Sequence, residues 1–147
     1  MAGPTGLLRR FAAIVYDTLL LAALWFCATI PFTALNGGES VDSGSLLLRV
    51  SHQFTLVLVA YAFFVGFWSS KGRTLGMQSW GLQLETEDGS VPGKGAATIR
   101  FLAACLSWAV FGLGFLWQLR DRDRLTWHDR LSKTRLIYYP RQSQSQT

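Results

Sequence analysis

Arg9-Arg10-Phe11-Ala12-Ala13-Ile14-Val15-Tyr16-Asp17-Thr18-Leu19-Leu20-Leu21-Ala22-Ala23-Leu24-Trp25-Phe26 decides how the rest of the chain is read. Two arginines open an apolar run that continues to Leu35 and carries a single charge, Asp17. About 20 helical residues cross a hydrocarbon core of about 30 Å, so 11–35 is long enough to span a bilayer. A cleaved signal sequence fits it poorly. The run is too long, it contains Asp17, and no small-x-small site closes it: Phe32 stands where a small side chain would be needed before Ala34. The expectation is a retained membrane helix.

Two further runs have no Asp, Glu, Lys or Arg at all, 50–70 and 101–119. The whole chain of 147 residues agrees with them: 50% apolar, 14% aromatic and only 16% charged, with a mean hydropathy of +0.23. Soluble domains carry about 25% charged residues. These figures exclude a disordered chain and argue against an ordinary soluble enzyme. They fit an all-α membrane protein of two to three transmembrane helices, with residues 1–141 forming one membrane domain and the polar stretch 142–147 a disordered tail. The net charge of +5 comes from basic residues that flank the apolar runs, so a lipid surface, not nucleic acid, is the expected partner. Cys27 and Cys105 lie inside apolar stretches and read as small buried hydrophobes. His52 and His128 are far apart, and no metal set, nucleophile or cofactor loop is legible, so neither catalysis nor a cofactor is expected.

Between the first two runs, 36–49 reads as a flexible loop around Gly37-Gly38 and Gly44. The second connection, 71–100, is more structured. Thr74 to Gly81 suits a short interfacial helix, Leu82-Gln83-Leu84-Glu85 alternates as an extended segment does, and Asp88-Gly89 and Pro92-Gly93 supply turns. Gly72-x-x-x-Gly76 matches a close-packing pattern but sits in a polar stretch, where it carries little weight.

Cytoplasmic segments are enriched in Lys and Arg. If all three runs cross, one side holds six basic residues and the other eight; if the third run returns, the split is thirteen to one. Gly112-Leu113-Gly114 offers a break for a returning segment, but 19 residues are few for one. Both topologies remain open; both place the N-terminus in the cytoplasm.

Asp17 stands about 9 Å along the first run, where a carboxylate costs up to roughly 2.5–3.5 kcal/mol on insertion scales. Such a group finds a partner or a proton. Arg10 is seven residues earlier on nearly the same helix face, and Arg9 is its neighbour. In Leu125-Thr126-Trp127-His128-Asp129-Arg130-Leu131, Thr126 and Asp129 have capping-box spacing. His128 beside them has no nucleophile to serve. Arg10, Asp17 and Asp129 are therefore expected to form one charge cluster, two carboxylates around one guanidinium, with Arg9, Thr126 and His128 in supporting places.

These residues carry a resemblance. Arg9 to Asp17, then Gly72-Arg73-Thr74-Leu75-Gly76-Met77 with Gly81-Leu82-Gln83-Leu84 and Asp88-Gly89, then Leu125 to Thr134, resemble in order the signatures of the RDD family of small membrane proteins. Lys133 departs from the small residue, usually glycine, of many relatives. The resemblance implies a multi-pass inner-membrane protein, with transport or cation/proton exchange suggested for some members. The leading expectation is a transporter or transport-linked subunit whose Arg10, Asp17 and Asp129 handle a cation or proton. The alternative is a membrane adaptor or assembly factor in which the same charges are a packing lock. Three short segments enclose no pathway, so a homo-oligomer or a membrane partner is expected.

Overall fold

The computed structural model describes residues 3–110, 120 and 125–139. Helix α1 spans Leu7–Leu35 and helix α2 Leu46–Lys71. At 1.5 Å per residue they are about 43 and 39 Å long, and both are apolar enough to cross a membrane. Their outer faces present Leu19, Phe26 and Phe54, each about two-thirds exposed, as hydrocarbon solvates them and water does not.

The helices form an antiparallel hairpin. Asn36 caps its turn by donating from Nδ2 to the Ser40 carbonyl at 2.7 Å, and Ser45 Oγ receives Leu48 N–H to start α2, four residues before the apolar run begins. Trp25 Nε1 donates to the Leu56 carbonyl at 2.9 Å, and Thr29 Oγ1 meets His52 Nε2 at 2.9 Å with the Phe32 ring edge-on to the imidazole. These polar side chains are turned inward onto the other helix, which is how helices associate without a hydrophobic driving force between them.

The third helix, α4 (Lys94–Ala109), begins seven residues before its apolar run and packs on α2 through Tyr61, whose hydroxyl meets Thr98 at 2.9 Å and whose ring stands edge-on to Phe101. Residues 111–119 lie outside the described residues, and with them the question of whether this segment crosses and on which side the C-terminus emerges; 142–147 lie outside them too.

Apart from a 3-10 turn at Val41–Ser43 in the hairpin loop, the remaining described elements gather at the end of the hairpin where α1 begins and α2 ends. They are α3 (Leu75–Ser79), α5 (Trp127–Ser132) and a sheet of β1 (Gly3–Pro4), β2 (Leu82–Thr86) and β3 (Thr134–Tyr138), in the order β1–β3–β2 and antiparallel throughout. The fold is therefore not purely helical, as composition suggested. The extended reading of 82–85 holds, but its partner, Thr134-Arg135-Leu136-Ile137-Tyr138, follows a short helix and has too few residues to announce itself. Leu84 pairs with Leu136 and both are buried, as is Leu82, so one face of the sheet lies on the helices. Gly72 joins sheet to hairpin. It ends α2 in the left-handed region, φ +66, and its carbonyl accepts from Leu84 N–H at 2.7 Å; a Cβ there would sit 2.9 Å from the Leu84 carbonyl oxygen.

The cysteines depart from expectation. Cys27 and Cys105 are both exposed. In hydrocarbon an exposed thiol costs little, so an apolar neighbourhood in sequence does not imply a packed core.

Two outcomes follow. Single cysteines at Ser40 and Gly89, in a chain with Cys27 and Cys105 replaced by alanine, should react with an impermeant maleimide from opposite faces of the membrane; reaction from one face would exclude the hairpin as a spanning unit. Lys133 closes α5 at φ +51, the left-handed conformation glycine adopts without strain. Lys133→Gly should therefore stabilise the folded protein by about 1 kcal/mol, read as a raised melting temperature in detergent.

Candidate functional site

Asp129 is the centre of the site. It is the third residue of α5, and its backbone N–H and carboxylate complete the capping box with Thr126: Thr126 N–H donates to Oδ2 at 3.0 Å, and Asp129 N–H to Thr126 Oγ1 at 3.4 Å. The same carboxylate receives two arginines from different helices. Arg10 Nη1 of α1 donates to Oδ2 at 2.8 Å, and Arg100 Nη1 of α4 to Oδ1 at 2.5 Å. Arg100 Nη1 also reaches Thr134 Oγ1 at 3.0 Å, and its guanidinium stands 5.3 Å from the Trp68 ring. Asp129 is 1% exposed, Arg10 4% and Arg100 3%.

The expected cluster is thus inverted. Two guanidiniums enclose one carboxylate, and Arg100 was not among the expected residues. It occupies the seventh position of α4, and only the early start of that helix, before the apolar run, turns it inward. Asp17 pairs elsewhere. Its Oδ2 accepts from Thr74 Oγ1 at 2.5 Å and its Oδ1 from Gly76 N–H at 2.8 Å, so a carboxylate of α1 crowns the start of α3. The Arg10–Asp17 ion pair is not formed. Gly76 permits the approach: a Cβ on it would lie 2.5 Å from the Ala13 carbonyl oxygen and 2.8 Å from Asp17 Cγ. The Gly72-x-x-x-Gly76 spacing, given little weight in a polar stretch, therefore does include a close-packing glycine.

A family model matches residues 4–133. This chain belongs to the RDD family. RDD proteins are membrane proteins, which agrees with the two long apolar helices. No curated protein and no solved structure matches the chain. The RDD match runs from β1 to the last residue before β3 and contains the ion-paired Arg10, Arg100 and Asp129 together with Asp17.

Arg9 projects the other way and lies 3.6 Å over the Tyr138 ring, bracing β3 against the start of α1. His128 is buried beside the cluster, and its carbonyl accepts from Ser132 Oγ at 2.5 Å. A cavity of about 580 Å³ opens from the cluster between α1, α2 and α4, with Arg10, Asp17, Arg100 and His128 on its wall. No group of three or more His, Cys, Asp or Glu among the described residues is placed to hold a metal.

Burial alone would raise the Asp129 carboxyl, but the Arg100 and Arg10 charges outweigh it and hold it well below the ordinary carboxylate range. Burial lowers the His128 imidazole to about 3, with the Arg100 and Arg10 charges pushing the same way against the attraction of Asp129. Both groups bind protons more weakly folded than unfolded, so both destabilise the fold as pH falls. His128 acts first, from its ordinary 6.5 down to about 3. Asp129 extends the loss below its ordinary 3.8. The melting temperature of the RDD protein in detergent should therefore fall on acidification from pH 7. His128→Gln should flatten the decline above about pH 4 and leave the steeper acid limb, a result that a melting series in buffers of matched ionic strength will check.

Proposed function

We propose that this chain is a multi-pass inner-membrane adaptor or transport-linked subunit, without catalysis of its own, in which the buried charges are structural locks. The sheet, α3 and α5 form its cytoplasmic cap, on the side of the arginine-rich N-terminus. The observation that carries this reading is that the carboxylates of Asp129 and Asp17 are both filled. Each Asp129 oxygen receives an arginine, and each Asp17 oxygen receives a donor from the 74–76 segment. A carboxylate that cycles a coupling ion needs an oxygen released at low cost, and each of these is held by a second element. The hairpin then acts through its partners, whether further copies of the chain or another membrane protein, while the basic tail adds attraction to anionic lipid.

A second reading, ion handling at Asp17, draws support from its place on the cavity wall. Double-mutant cycles separate the two. Removing one partner of a buried ion pair costs about 3–5 kcal/mol, much of it from the charge left behind. Arg100→Gln and Asp129→Asn should therefore each destabilise strongly and combine with a large favourable coupling, whereas Arg10→Gln and Asp17→Asn should be close to additive. In sealed vesicles the purified wild type should carry no proton or sodium flux. A flux that Asp17→Asn abolishes without changing the melting temperature would replace the adaptor reading with the transporter.

A further inference from the structure

The cavity is not a simple packing defect. At about 580 Å³ it lies in the size range of ligand sites, and it runs along α1 from Arg10 to Trp25, about 22 Å. Its two ends differ in chemistry. Away from the cap the wall is Leu21, Trp25 and Trp108, with Phe64 and Phe101 between. At the cap it is Arg10 and Arg100. These two guanidiniums share the single carboxylate of Asp129. Among the described residues, the Nε–H groups of Arg10 and Arg100 are both buried without a hydrogen-bond partner. A buried charged donor left unmade is expensive, so each is a place where an acceptor would be stabilised. The other titratable groups on the wall do not supply that acceptor. The Asp17 oxygens are taken by Thr74 and Gly76, and neither Nε–H is bonded to His128.

We propose that the cavity binds a single-chain anionic amphiphile, with its acyl chain between α1, α2 and α4 and its carboxylate or phosphate head at the Nε edges of Arg10 and Arg100. The site reads both halves of such a molecule: the aromatic wall takes the chain and the arginine pair the charge. The inference stands apart from the adaptor and transporter readings, since either protein would bind such a ligand in the same place.

The test uses the full chain in phosphatidylcholine nanodiscs, with tryptophan fluorescence as the signal and a brominated fatty acid as quencher. Trp25, Trp68 and Trp108 line the cavity and report its occupancy. Quenching by the acid should saturate. The brominated alcohol of equal length should bind about tenfold more weakly or worse, the loss expected for one charge-assisted contact. Unlabelled fatty acid or lysophosphatidic acid should reverse the quenching, and inorganic phosphate or acetate should not. Because Arg10 and Arg100 also hold the fold, the diagnostic variant is Ala104→Phe, which fills the cavity from α4 and leaves the ion pairs intact; it should abolish the saturable component without lowering the melting temperature. Equal quenching by acid and alcohol, competition by phosphate alone, or saturable quenching that survives Ala104→Phe would each overturn the proposal.

Discussion

One carboxylate shared by two arginines holds this molecule together. Asp129 arrives on a six-residue helix that is too short to be stable alone, Arg10 on the first helix and Arg100 on the third. The two arginines come from different helices, so Asp129 links α1 to α4 at this end. Burying three charges is costly, and their mutual attraction repays it only because the geometry is good: two short ion pairs, a backbone N–H from Thr126 and a hydroxyl from Thr134. The lock therefore specifies where the cap sits more than it adds net stability.

Asp17 performs the corresponding task one layer deeper. A carboxylate in a membrane helix needs donors, and the chain supplies them from the 74–76 segment, bringing that stretch down onto α1. The second helix end is fixed by Gly72, the third by the Tyr61–Thr98 contact. Asp17 in the first helix is thus used to dock an element that composition alone would leave in solvent.

Much of this was legible. The two helices long and apolar enough to span a membrane follow from the apolar runs, the short helix at 74–81 and the extended 82–85 from local pattern, and the capping box at Thr126 from spacing. The partners of the charges were not. Arg10 and Asp17 share a helix face, and that periodicity suggested a pair; the donors that Asp17 in fact takes are 57 and 59 residues away. Arg100 looked like a loop charge because hydropathy marks where lipid begins, not where a helix begins. The strand 134–138 was hidden because its partner strands are distant in sequence and its five residues are mixed in polarity.

The sheet joins residue 4 to residue 137 and draws Thr5 Oγ1 to the Leu136 carbonyl. Such pairing closes a loop of more than a hundred residues that includes both long helices. During synthesis the N-terminal strand is made first and has no partner until 134–138 has emerged. The helical hairpin is complete well before then. The cap therefore closes after the hairpin has been made, and until it does, β2 lacks its neighbour strand. A chain interrupted after α4 would keep its membrane segments and lose the piece that tells them how to face each other.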